Sequence, residues 1–175
     1  MVATALPVDF SGRVAVVTGA ARGIGAGIAA RLRAAGGRVW LVDVDPAALA
    51  ARAAELGCET ICADVRDGDA LRAHARRIHD SDGGLDFLVN SAGLLTTGAF
   101  DRTDAAQWQR LIDVNLGGIF HCVQGFVPLM RGGGSIVNIA SVSAQRGGGA
   151  LGNVWYGASK AAVVAATMGL APYQT

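Results

Sequence analysis

Short apolar, β-branched runs alternate along this chain with stretches of helical period, and that alternation limits the fold more than any other feature. Arg13 to Thr18 (RVAVVT) reads as a strand; Ile24, Ile28 and Leu32 then recur every four residues and predict a helix ending at Gly36-Gly37. Arg38 to Asp43 is a second strand, after which Asp45 caps a helix with Pro46 at its first position. Thr60 to Ala63 predicts a short third strand, and Asp67 begins a helix running to about His79. Leu85 to Asn90 is a fourth strand. Asp104 and Gln107 resemble a capping box that opens a long helix through Trp108, Leu111, Ile112 and Asn115 toward Met130. Gly134 to Ala140 is a fifth strand, and a Gly-rich loop, Gln145 to Gly152, leads to a helix carrying Tyr156 and Lys160. Strands separated by helices pair in parallel, so the pattern predicts an α/β fold built on a doubly wound parallel sheet. In such a sheet ligands bind beyond the carboxyl ends of the strands.

The 175 residues suffice for one domain with a real core, and neither a repeat nor a linker divides them. A chain 51% hydrophobic and 17% charged is not disordered. A net charge of +1 without a basic cluster points to neither nucleic acid nor an anionic membrane as partner. The longest apolar stretch, Ala161 to Ala171, is too short to span a bilayer, and the N-terminal residues lack the pattern of a signal peptide. Cys58, Cys62 and Cys122 are odd in number and lack metal-type spacing, and His74, His79 and His121 form no ligand pattern. These features predict a cytoplasmic protein with reduced cysteines and no metal site.

Two local patterns carry chemistry. The first is Thr18-Gly19-Ala20-Ala21-Arg22-Gly23-Ile24-Gly25, between the first strand and the first helix. Glycines allow a tight turn and close backbone approach, and a helix N-terminus offers free N–H groups to a pyrophosphate. Asp43, at the end of the second strand, can accept hydrogen bonds from a ribose diol and would repel a 2′-phosphate, which favours NAD over NADP. Arg22 is a counter-signal, since a guanidinium in this turn could contact such a phosphate. The second pattern is Tyr156-Gly157-Ala158-Ser159-Lys160. Lys160 is the chain's one lysine among fifteen basic residues, and positions i and i+4 share a helix face. A cation beside a phenol favours phenolate, which makes the pair a plausible acid/base device.

Taken together these residues resemble the short-chain dehydrogenase/reductase family, in its branch of short, single-domain enzymes with a Rossmann fold. The family's Thr-Gly-x-x-x-Gly-x-Gly motif falls on Thr18 to Gly25, its Asn-x-Ala-Gly turn on Asn90, Ser91, Ala92 and Gly93, and its helix Asn on Asn115. Its strand-five Ser falls on Ser141 and its Tyr-x-x-x-Lys on Tyr156 and Lys160, while Asp64-Val65 looks like the pair that contacts the adenine ring. The resemblance implies an NAD(P)-dependent oxidoreductase moving a hydride between a nicotinamide cofactor and a small alcohol or ketone, with NAD favoured over NADP by Asp43. Gly19, Arg22, Gly23, Ile24, Gly25, Asp43, Asp64, Val65, Asn90, Ala92 and Gly93 would hold the cofactor together with Tyr156 and Lys160. Tyr156 would exchange a proton with the substrate oxygen, and Ser141 would donate to that oxygen. Lys160 would tune the phenol and bond the nicotinamide ribose, and Asn115 would hold a water linking Lys160 to solvent. Ser143, 13 residues before Tyr156, competes with Ser141 at 15 for the serine role.

In the family two more strands follow the Tyr-Lys helix, so the resemblance also implies a sheet incomplete on its C-terminal side, with the fifth strand as an edge. A non-catalytic chain that binds nucleotide or a partner is the alternative reading. The helices over roughly 104–130 and 154–170 pack against their counterparts in dimers or tetramers of the family. The substrate is not legible.

Overall fold

A computed structural model describes residues 8–148 and 152–171. Five parallel strands, β1 (Val14–Thr18), β2 (Arg38–Asp43), β3 (Glu59–Cys62), β4 (Leu85–Asn90) and β5 (Met130–Asn138), form one sheet in the order β3-β2-β1-β4-β5. The order reverses beside β1, so the crevice at the carboxyl ends of β1 and β4 is the switch point of a doubly wound fold. β1 is buried at all five positions, as a central strand covered on both faces must be. Val14, Val16, Trp40, Val42 and Leu88 face one layer, where α3 (Gly68–Asp82) and α5 (Gly118–Phe126) supply Leu71, Ile78 and Phe126. Ala15, Val17, Val39, Leu41 and Val89 face the other, against Ala29 of α1 (Gly23–Ala34) and Leu49 of α2 (Pro46–Leu56). Each fully buried Val or Leu contributes about 1.5–3 kcal/mol.

The helix starts follow from their capping residues. Asp45 accepts from Ala48 N at 3.0 Å with Pro46 at the first position, and Asp67 accepts from Ala70 N at 2.9 Å. Asp104 and Gln107 close a reciprocal capping box on α4 (Ala105–Ile112). α2 and α3 end on the left-handed glycines Gly57 and Gly83.

Five of the expected elements are corrected. β3 begins at Glu59, and α3 continues past His79 to Asp82. The long helix expected toward Met130 is interrupted: α4 passes into one π turn, Asp113–Gly117, before α5. That turn is packed from both sides, because Asn115 is tied into a loop and a Cβ on Gly118 would come within 2.7 Å of Val65 Cγ2. β5 runs from Met130 to Asn138, so Ser141 lies three residues past its end rather than in it. The loop expected from Gln145 loses its first two residues to a short helix, α6 (Ser143–Arg146), which precedes α7 (Val154–Leu170).

At the amino ends of the strands the buried Asp86 accepts from Arg13 Nη1, Arg131 Nη1 and Val14 N at 2.8–2.9 Å. Asp82 pairs with Arg38 and accepts from Trp40 Nε1. No helix among the described residues is long and apolar enough to cross a membrane. The three cysteines are unpaired, and burial pushes the Cys122 thiol up to about 12.

Candidate active site

The turn after β1 is shaped by missing side chains. Gly19 sits at φ +64, and a Cβ there would approach Ala92 Cα to 2.8 Å; a Cβ on Gly25 would overlap the carbonyl oxygen of Gly19. Close packing of turn, helix and the loop after β4 therefore requires both glycines. Thr18 Oγ1 adds the fastening on the loop side, accepting from Ser91 N and Ala92 N at 3.1 Å each. Arg22 N-caps α1 without a side-chain bond to the first turn, so no side chain competes for the N–H groups that face an incoming anion.

Beside this turn a cleft of about 260 Å³ opens between β1, β2 and β4, lined by Gly19, Asp43, Asp64, Val65, Ala92 and Gly93 among others. Asp43 is oriented by the main chain: Oδ2 accepts from Ala21 N and Oδ1 from Asp45 N, both at 3.1 Å. Arg22 does not line the cleft; its guanidinium pairs with Asp45. Asp64 chelates Arg66 through Nε and Nη2, a contact that holds the carboxyl below its usual range. Asn90 does not line the cleft. It is buried and donates from Nδ2 to Asn138 Oδ1 at 2.8 Å, tying β4 to β5, while its own Oδ1 has no partner.

A second cleft of about 210 Å³ adjoins the first along Gly93 and Leu94, and it holds Tyr156 and Lys160 with Ile24, Leu95 and Ile139 in its walls. Tyr156 is half-buried. Lys160 is 5% exposed; its Nζ donates to the carbonyl of Ile139 at 2.7 Å, and burial lowers its pKa from the ordinary lysine value. Asn115 is wholly buried. Its Oδ1 accepts from Leu94 N at 2.7 Å, while Nδ2 donates to Leu94 O at 3.0 Å and to Ser159 Oγ at 2.9 Å. Ser159 in turn donates to the Tyr156 carbonyl at 2.8 Å, so the π turn, the loop and α7 share one bonded network. Gly93 leaves a gap between two of these groups: a Cβ there would lie 3.3 Å from Asn115 Oδ1 and 3.4 Å from Lys160 Nζ. Ser141 Oγ accepts from Ser143 N at 3.1 Å, which leaves its own proton free; Ser143 is buried.

Sequence reasoning missed Asn153 and Ser159, whose side chains secure α7 from within. Asn153 was detectable as a helix-capping type three residues before Tyr156; Ser159 had no comparable signal. Trp155, next to Tyr156, donates from Nε1 to Phe100 O and packs edge-on against Trp108. Among the described residues no group of three or more His, Cys, Asp or Glu could hold a metal ion.

A glycine-lined turn, a carboxylate at the end of the second strand and a Tyr-Lys pair in an adjoining cleft thus stand together at the carboxyl ends of a doubly wound parallel sheet. The short chain dehydrogenase family profile matches residues 13–173. A 2-dehydro-3-deoxy-L-rhamnonate dehydrogenase (NAD(+)) of Sphingomonas sp. (strain SKA58) is 41% identical over 167 residues, covering 92% of this chain and 66% of the relative. Galactitol 2-dehydrogenase of Agrobacterium fabrum (strain C58 / ATCC 33970) is 33% identical over 93% of this chain and 64% of its own length. The crystal structure of a glucose/ribitol dehydrogenase from Brucella melitensis superposes with a TM-score of 0.90 at 37% identity, over 96% of this chain and 72% of that one. The chain belongs to the short-chain dehydrogenase family, and it spans about two thirds of the length of the curated relatives it matches.

Proposed function

We propose that the chain carries the cofactor-binding and proton-transfer parts of an NAD-linked oxidoreductase that interconverts an alcohol and a ketone. The observation that carries this reading is the meeting of two clefts at Gly93 and Leu94, one with the anion turn and Asp43, the other with Tyr156 and Lys160. The residues present fit a dinucleotide: Gly19 and Gly25 let the turn close tightly on itself and on the loop after β4, where any Cβ would clash, and the first turn of α1 offers its N–H groups beside it. Asp43 receives the ribose diol of the adenosine, and Val65 and Asp64 border the base. The negative charge of Asp43 disfavours a 2′-phosphate, and Arg22, the guanidinium that could attract one, is occupied by Asp45. The Sphingomonas relative bears NAD(+) in its name, which supports the same preference.

When bound, the nicotinamide cofactor supplies or accepts the hydride. Tyr156 exchanges a proton with the substrate oxygen through its phenol. Ser141, its hydroxyl proton free, donates to the same oxygen as negative charge develops there. Lys160, anchored by Ile139, places its cation where it favours the phenolate and where the nicotinamide ribose would bond it. A water in the gap left by Gly93 would bridge Asn115 Oδ1 and Lys160 Nζ and pass the proton outward.

Titration of the chain with NADH and NADPH, followed by turnover with a panel of polyols and ketones, tests this reading. Tighter binding of NADH is expected. Tyr156→Phe should lower kcat by a factor of about 100 or more with NADH affinity kept. Undiminished turnover in that variant would remove Tyr156 from the mechanism.

A further inference from the structure

Asn153 stands outside the residues assigned to the cofactor or the proton, yet each of its polar groups is used. The residue is 7% exposed. Its Oδ1 accepts from Tyr156 N at 3.1 Å and from Thr96 Oγ1 at 2.8 Å, and Nδ2 donates to Thr103 Oγ1 at 3.1 Å. Its main-chain N–H donates to the Thr96 carbonyl at 2.8 Å, and its carbonyl accepts from Gly157 N at 3.1 Å. A flipped amide would set a donor against the N–H of Tyr156, so the network fixes the orientation. An N-cap needs only the bond to Tyr156. The contacts with Thr96 and Thr103 tie the first turn of α7 to the loop between β4 and α4.

That loop is held at a second point, because Asn115 takes both the N–H and the carbonyl of Leu94. Leu95 lies between the two anchored residues, exposed on the wall of the cleft that contains Tyr156. Gly152 completes the seat of the ring: a Cβ there would come within 2.5 Å of Tyr156 Cδ1 and 3.2 Å of Leu95 Cδ1. The phenol, Leu95 and the start of α7 are thereby packed as one body with Asn153 inside it.

We propose that Asn153 is a positioning residue that sets the Tyr156 phenol against the 94–96 segment, the wall past which a substrate carbonyl must reach it. This rests on the reading of Tyr156 as the acid/base group. Proton transfer needs heavy atoms within about 2.6–3.2 Å, and a displacement of about 1 Å from a distant change can cost up to roughly 100-fold in rate. Asn153 acts through the Tyr156 amide and through Thr96, without touching the reacting atoms.

Two substitutions separate positioning from capping. Asn153→Ala removes every side-chain contact, whereas Asn153→Ser keeps a good cap acceptor but is too short to hold both Thr96 and Thr103. Thr96→Val leaves the cap whole and removes one tie from the loop side. Each variant is assayed for kcat, KM and NADH Kd. Each is also labelled with 3-fluorotyrosine in a Tyr173→Phe background, where Tyr156 gives the single fluorine resonance. Expected are a roughly tenfold fall in kcat for Ala and Ser and a smaller one for Thr96→Val, with NADH Kd within about twofold. The fluorine resonance should broaden or split in the two Asn153 variants. Wild-type kcat and a wild-type resonance in Asn153→Ser would reduce Asn153 to a helix cap and overturn the proposal. Were Tyr156→Phe to keep its turnover, the acid/base reading would fall alone, and the fluorine spectra would still decide whether Asn153 holds the ring.

Discussion

The two halves of the cleft are built by different means. Beside β1, β2 and β3 the work is done by main chain and by absent side chains: glycines at 19 and 25, free N–H groups on α1, and carboxylates bonded within 2 to 23 residues of their own position. Beside β4, β5 and α7 it is done by buried polar side chains that reach across 21 to 57 residues: Lys160 to Ile139, Asn115 to Leu94 and Ser159, Asn153 to Thr96. The contrast matches the tasks proposed for the two halves. An anionic ligand would ask for a close-packed turn and for N–H dipoles, which the backbone provides. Proton transfer asks for a few side chains held still in a dry setting, where each buried polar atom needs a partner.

The sharpest way to break this contrast is Gly25→Ala. Its added methyl would meet the Gly19 carbonyl and the Thr18 carbonyl oxygen, backbone atoms that cannot rotate aside, so the glycine turn must open. NADH affinity should fall by about 100-fold or more in a fluorescence titration, because the turn and the α1 N-terminus act on the ligand together. A variant that still binds NADH within a few-fold would mean that close backbone approach is not what builds this half.

Asn115→Ala probes the other half, with a smaller effect on the ligand. It strands the N–H and carbonyl of Leu94 and removes the bond to Ser159. Each buried group left without a partner costs about 1–3 kcal/mol, so unfolding in urea should report a loss of roughly 2 kcal/mol or more. NADH affinity should change less than in Gly25→Ala, and kcat should fall with stability. Equal damage to NADH binding would show the halves to be one cooperative unit.

Legibility in the sequence divides along the same line. Strand positions and helix caps rest on local rules, so the bounds of β2 and β4 were legible to the residue, and Asp45, Pro46, Asp104 and Gln107 in their observed roles. That Tyr156 and Lys160 would share one cleft was legible only through their spacing within a known pattern. What those residues touch was not, since nothing in a string of residues shows that Asn153 will meet Thr96 or that Ser159 will link Asn115 to α7. The π turn at Asp113–Gly117 escaped for the same reason: local propensity favours an unbroken helix, and the bulge is imposed by the tie to Leu94 and by Gly118 against Val65. The same limit hid the pairing of Arg22 with Asp45, 23 residues away, behind the expectation that Arg22 faces the cofactor.

The smallest effect at the site is expected from its opposite end. Asp86 is 1% exposed and sits at the amino ends of β1 and β4, bonded to Val14 N, Arg13 and Arg131. Burial pushes its carboxyl up, but the Val14 N–H and the two guanidiniums outweigh that push and hold it below its usual value of 3.8. A carboxyl lowered in the folded state contributes stability that is complete above its unfolded pKa and disappears as pH falls through the lower, folded one. In Asp86→Asn the Tm deficit relative to wild type should therefore be steady from neutral pH down to about 4 and narrow below it. NADH affinity at neutral pH should stay within about twofold, because no bond of Asp86 reaches the carboxyl ends of the strands, where both clefts open. A Tm deficit that instead widened in acid would mean that Asp86 is held protonated by its burial, and the ion pairs with Arg13 and Arg131 would lose their role. A large loss of NADH binding would carry the more interesting consequence: β1 would transmit strain along its length, and the glycine turn would depend on buried side-chain bonds as much as the half around Tyr156 does.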